Sequence, residues 1–316
     1  MPSSAPPREA VSVIAQEFIV DDPCALSVDV PGAHTRLRPG PQNDRVEVEI
    51  SVTGCPPDEA EDILDRMQVG THQMKDTVRV YSNAEIDRSD AEWWRWVRSL
   101  DVAIHVDLRL PSRIEAELRV PGGDVDLADL QGEMDVSVMG GACRVENVSG
   151  TLNVRAESSD VTIKGFSGDE LVARVAVGAL TVEDAEADTI TVRSVAGPMT
   201  LAAVRGPTTV TAKSAAVELH DVDGPCTADV RGGSLTYEGT PQDEIELRGV
   251  GSSINALVPS SHGADLTMGG PTLSLADAFA FKGEQTEHEI DGTLNGGGPS
   301  LRLRATGGGT VHCRSA

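Results

Sequence analysis

Chemistry in this 316-residue chain would have to come from its carboxylates, its five cysteines, its seven histidines, or two local groupings of arginine and tryptophan. Cleavage of a glycosidic bond needs two carboxyl groups converging on one groove, one of them held as acid or base by its neighbours. Asp124, Asp126 and Asp129 are close in sequence at the entry coil, but alternation along an extended chain does not bring all three to one side, Asp129 falling opposite Asp124 and Asp126. Glu218, the carboxylate that shares an outward column with Asp126, lies about five layers, or about 24 Å, away. Calcium-binding repeats carry Gly-Gly-x-Gly-x-Asp frames. Here Gly122-Gly123-Asp124 occurs once and out of frame. The glycine runs at 296–298 and 307–309 have neither an Asp nor the Lys-Ser/Thr of a phosphate loop. The histidines never fall at ligand spacing, and Cys24, Cys55, Cys143, Cys226 and Cys313 form no CxxC pair. The sequence assigns no catalytic residue, no metal site and no cofactor.

Two groupings point to recognition instead. Arg155, Arg174 and Arg193 recur at one position of successive repeats, continued by Thr211 with Lys213 alongside. Like charges stacked about 4.8 Å apart repel unless carboxylates or an anion intervene. Glu157 and Asp135 are the carboxylates that could pair with them; the alternative is an acidic ligand, a partner protein or a polyanionic glycan. The second grouping is Trp93, Trp94 and Trp96, which hold all three tryptophans. Trp96 and Val97 could cover an open end of a stack, and an exposed Trp93 or Trp94 could anchor a partner or a lipid interface.

A repeat would position these residues. From residue 114 the chain divides into units of 18 or 19 residues, such as TLNVRAESSDVTIKGFSG (151–168) and DTITVRSVAGPMTLAAVRG (188–206). Each holds two short alternating runs, the signature of half-buried strands. Aligned, the units place Met134, Leu152, Leu171, Ile190, Thr208 and Cys226 in one column. Val125, Cys143, Val161, Leu180, Met199, Val217 and Leu235 fall in another, and Leu130, Val148, Phe166, Ala185, Val204 and Val222 in a third at a corner. Eighteen residues cannot bury their own apolar face but can bury it against the units above and below. The expected fold is all-β, a parallel β-solenoid of 18–19 residues per coil, its narrow interior filled by small aliphatics where aromatics make up 3% of the chain. Cys143 and Cys226 fall on inward columns and read as small hydrophobes.

The expected organisation is a flexible N-terminus (1–10), a β-rich region (11–112), solenoid repeats (113–276), and a loop with C-terminal closing strands (277–316), residues 277–292 being loop-like. In the β-rich region, Pro56-Pro57-Asp58-Glu59-Ala60 opens an amphipathic helix near 57–68, with Ala60, Ile63, Leu64 and Met67 on one face. A net charge of −24 argues against a nucleic-acid partner. No run of about 18 apolar residues marks a membrane span. Free thiols and the absence of a basic-then-apolar leader suggest a reducing cytoplasm, with a surface location also open.

The strand-rich lead-in, the helix EDILDRM, the strand ending LRLP, the DVTIKGFSG-type coils and the closing GGGPSLRLRATGGGTVH together resemble a bacterial β-strand-repeat family labelled putative adhesin, a domain of unknown function. The resemblance spans about residues 12–314. It implies a parallel β-solenoid and carries no activity, catalytic residue or cofactor. The function expected is a non-catalytic binding or scaffold surface for an unknown protein or glycan partner, with a homo-oligomer possible. A self-assembling, cytoskeletal-like solenoid is the alternative, and a glycan-active β-helix enzyme is the reading least favoured.

Overall fold

Alternating runs become strands because every second side chain points to the same face, and in this chain that face is aliphatic. The computed structural model describes residues 10–83 and 102–316; it is all-β with one helix, mostly in parallel pairings, and divides into two compact units, Met1–Ser149 and Gly150–Ala316. Trp93, Trp94 and Trp96 lie outside the described residues.

The first unit contains β1 (Val11–Ile19), β2 (Cys24–Asp29), β3 (Ala33–Pro39), β4 (Arg45–Thr53), α1 (Pro57–Met67), β5 (Val69–Met74), β6 (Thr77–Ser82), β7 (Ala103–Leu110), β8 (Arg113–Pro121), β9 (Val125–Ala128), β10 (Gln131–Met139) and β11 (Ala142–Glu146). One run of paired strands is β5-β6-β2-β8-β10, parallel from β6 onward. The other is β1-β4-β7-β3-β9-β11, parallel from β7 onward. Residues 24–39 therefore form a layer between β6–β7 and β8–β9. The next layer keeps the sequence period, with Met134 opposite Ala116 and Cys143 opposite Val125. Helix α1 starts at Pro57, which has no N–H to leave unsatisfied, and ends at Gln68 in the left-handed conformation. It buries Ala60, Ile63, Leu64 and Met67 and packs against β1, β4 and β5.

The second unit contains β12 (Ser149–Glu157), β13 (Asp160–Lys164), β14 (Ser167–Val177), β15 (Leu180–Ala196), β16 (Met199–Arg205), β17 (Thr208–Asp223), β18 (Cys226–Glu238), β19 (Ile245–Val258), β20 (Ala264–Gly269), β21 (Thr272–Leu275), β22 (Phe281–Gln285), β23 (Glu289–Leu294), β24 (Ser300–Thr306) and β25 (Thr310–Ser315). The long strands β15, β17, β18 and β19 turn a corner, so their two halves pair on different faces. On one face Leu171, Ile190, Thr208, Cys226, Ile245 and Leu301 lie opposite one another in succession. On the other, Val161, Leu180, Met199, Val217, Leu235, Ile254 and Val311 do the same, each at most 1% exposed. Full burial of one such side chain contributes about 1.5–3 kcal/mol, so these ladders carry much of the stability. Close stacking leaves no room for a Cβ at some corners. A Cβ on Gly168 would sit 2.2 Å from the Gly150 carbonyl oxygen, and one on Gly197 2.1 Å from that of Gly178.

Residues 277–292, expected as a loop, instead include most of an antiparallel hairpin, β22–β23, laid against β20. Their alternation is weak because β22 is an edge strand, exposed along nearly its whole length. The tail is also placed differently from a closing strand. β24 pairs in parallel with β19 on one side and β20 on the other, and β25 likewise lies between β19 and β21. The last strands in sequence thus sit one layer in from the edge.

Candidate binding surface

Along the face of the second unit formed by β12, β14, the second half of β15, the first halves of β17, β18 and β19, and β24, each successive layer presents an outward cation. In order these are Arg155, Arg174, Arg193, Lys213, Arg231 and Arg248, then Arg302 and Arg304 together, all exposed. They are eight of the twelve basic residues beyond Ser149. The expected group Arg155, Arg174, Arg193, Thr211 and Lys213 falls on this one face. Arg174 is directly opposite Arg193, and Arg193 opposite Thr211. Sequence reasoning missed the continuation. Arg231 is opposite Lys213 and Arg304 is opposite Arg248. The first follows from carrying the repeat one step further; the second is hidden because residues 264–294 intervene.

Three directly opposed pairs of like charge on one face are unfavourable to the fold. Local carboxylates relieve only part of this. Arg248 is held by Glu246 at 2.6 Å and by Asp229 at 3.8 Å, and the Glu246 hydrogen bond and charge raise its pKa. Arg302 pairs with Glu244. Arg174 donates through Nη1 to the Asn153 amide oxygen at 3.2 Å rather than to a carboxylate. Among the described residues Arg193, Lys213, Arg231 and Arg304 have no ion-pair partner. Arg155, Arg174 and Arg193 line a shallow recess of about 290 Å³ whose other walls include Ala176, Val195 and Glu157. Val195 and Val250, at 43% and 47% exposure, add exposed apolar side chains at outward positions of the same face.

The carboxylates of the first unit are arranged differently. Asp124 accepts the Ala142 N–H at 2.8 Å and pairs with His34 at 3.0 Å. Asp126 pairs with Arg38 at 2.9 Å, Asp107 with Arg36 at 2.9 Å, and Asp129 accepts from the Asn147 amide at 3.1 Å. Each of the four is engaged in holding a strand or a corner, and Asp107 and Asp126 share Arg36, whose Nε lies 3.8 Å from Asp126. His105, stacked 5.4 Å from His34, has its pKa lowered, first by burial and then by His34. Among the described residues no cluster of three or more His, Cys, Asp or Glu could hold a metal ion, and no helix is long and apolar enough to cross a membrane.

No protein-family model matches the chain, and no curated protein does. Solved structures are similar at low identity. A putative adhesin from Parabacteroides merdae is 13% identical with 95% of both chains covered and a TM-score of 0.47. A putative lipid binding protein from Parabacteroides distasonis is 10% identical over 95% of this chain and 96% of that one, with a TM-score of 0.46. A putative adhesin from Bacteroides fragilis is 12% identical over 96% and 97%, with a TM-score of 0.36.

Proposed function

We propose that this chain is a non-catalytic β-solenoid whose cationic face in the second unit binds an acidic macromolecule. The observation that carries the reading is the ladder of outward cations, one or two in each of seven layers, within a chain of net charge −24. A random scatter of twelve cations among more numerous carboxylates would tend towards pairing. Here four cations on one face stay without ion pairs, in a register where like charges oppose each other. An anionic partner would remove that repulsion on binding. The field outside the face would steer the partner to it while the rest of the surface repels the same partner.

Retention on at least one immobilised polyanion (heparin, polyglutamate or polygalacturonate) tests the proposal. The protein should be retained at low salt and eluted by added salt as contacts are screened. Arg174→Glu with Arg193→Glu should abolish retention with unchanged circular dichroism. Flow-through of the unmodified protein on all three, or retention unaltered by the double charge reversal, would overturn the reading.

A further inference from the structure

Resting on that cationic face, we propose that its ligand is a linear acidic polysaccharide with one carboxylate per ring, laid along the stack and perpendicular to the strands. The argument is one of spacing. Layers recur at about 4.8 Å, so cations from Arg155 to Arg304 span about 29 Å, at least one in each layer, with Glu157, Asp229 and Glu246 interspersed among them. An extended chain of 1,4-linked pyranoses advances by close to one layer per ring; its successive rings are turned over, so the carboxylates fall alternately on the two edges of a ribbon laid flat on the face, where long cationic side chains, at least one per layer, can reach either edge. The competing linear polyanions do not keep step. Phosphates along one strand of a nucleic-acid duplex recur at about 3.4 Å. Alternate side chains of an extended acidic peptide recur at about 6.6 Å. Either falls out of register with the ladder within two or three layers.

Charge density points the same way. The chain's own net charge of −24 opposes a dense polyanion more strongly than one bearing a single charge per ring. Arginine suits the task because its planar fork takes a carboxylate through two parallel N–H donors. The exposed valines beside the cations (Val195 and Val250) present apolar surface to the C–H faces of sugar rings. The cations shift sideways at Lys213 and Arg231, two positions along the strand from the Arg193 column. Long flexible side chains can bridge a shift of this size.

Titration calorimetry of the full chain with a length series of oligogalacturonides tests the proposal. Affinity should rise with each ring until about seven rings match the seven layers, then level off. Carboxyl-reduced oligomers of the same lengths should not bind. Arg193→Gln and Lys213→Gln should each weaken binding of the long oligomers about threefold, the size of one exposed ion pair. Because each substitution removes a like-charge contact, each should leave the thermal midpoint unchanged or raised, which separates lost recognition from lost folding. Affinity independent of length, or binding confined to single-stranded DNA, polyglutamate or anionic phosphatidylserine vesicles, assigns the face another ligand and overturns the polysaccharide. Binding to none of these polyanions overturns the face itself.

Discussion

Cys143 shows how one residue type can be read for its chemistry and turn out to be packing. Its side chain is fully buried opposite Val125, and burial is the main cause that pushes its thiol up to about 12. Burial does the same for Cys226 and Cys313, to about 12 each, and lifts Cys24 to about 11. A thiol reacts as its thiolate, so this upward shift, added to burial itself, leaves the inward thiols far less reactive at neutral pH. Cys55, at intermediate exposure, is the one cysteine that is not buried. Alkylation of the native protein at pH 8, followed by mass spectrometry, should modify Cys55 alone. The other four should react only after denaturant is added, and rapid native labelling of Cys143 or Cys226 would contradict their inward placement. The inward position of these cysteines was legible from the alternation alone, because a period of two gives every residue of a strand a side once one is placed.

The corners repeat as faithfully as the strands. Gly165, Asp184, Ala203 and Asp221 occupy equivalent turns of the second unit, all with φ between 50° and 67°. Asp129 and Asn147 do the same in the first unit. Glycine, Asn and Asp tolerate this left-handed conformation, whereas alanine is strained in it by about 1–2 kcal/mol. Ala203→Asn should therefore stabilise the protein by about 1 kcal/mol, read as a higher midpoint in thermal or urea denaturation; a loss of stability would show that the site needs the smaller side chain. Glycine runs signalled turns in the sequence, but this column did not stand out. Its members differ in type, and Ala203 gives no hint of its backbone. Helix α1 was easier to place, since the double proline fixes its start and Ala60, Ile63, Leu64 and Met67 fix its inner face. The hairpin β22–β23 was invisible for the opposite reason: its outer strand buries almost nothing, so no apolar pattern marks it.

At the scale of the whole molecule, neither end of the chain is stacked in the order of its sequence. In the first unit β2–β3 lies between strands that come later; in the second, β24–β25 lies between β19 and the earlier β20–β21. The 18-to-19-residue period revealed the layers where consecutive segments stack but could not reveal a layer that skips its turn. Leu303 tests the arrangement, since it is 1% exposed and opposite both Leu247 and Met268. Leu303→Ala should cost about 3 kcal/mol and speed amide hydrogen exchange in β20 as well as in β24. Faster exchange confined to β24 would mean that β20 is anchored elsewhere. The same arrangement governs the timing of biosynthesis. When a ribosome has made residues 264–294, the neighbour on which β20 and β21 must rest does not yet exist, so this stretch waits with one strand edge and its apolar side chains open. A second nascent chain on the same messenger could lend its own residues 300–315 to the gap, so crowded translation would favour exchanged dimers.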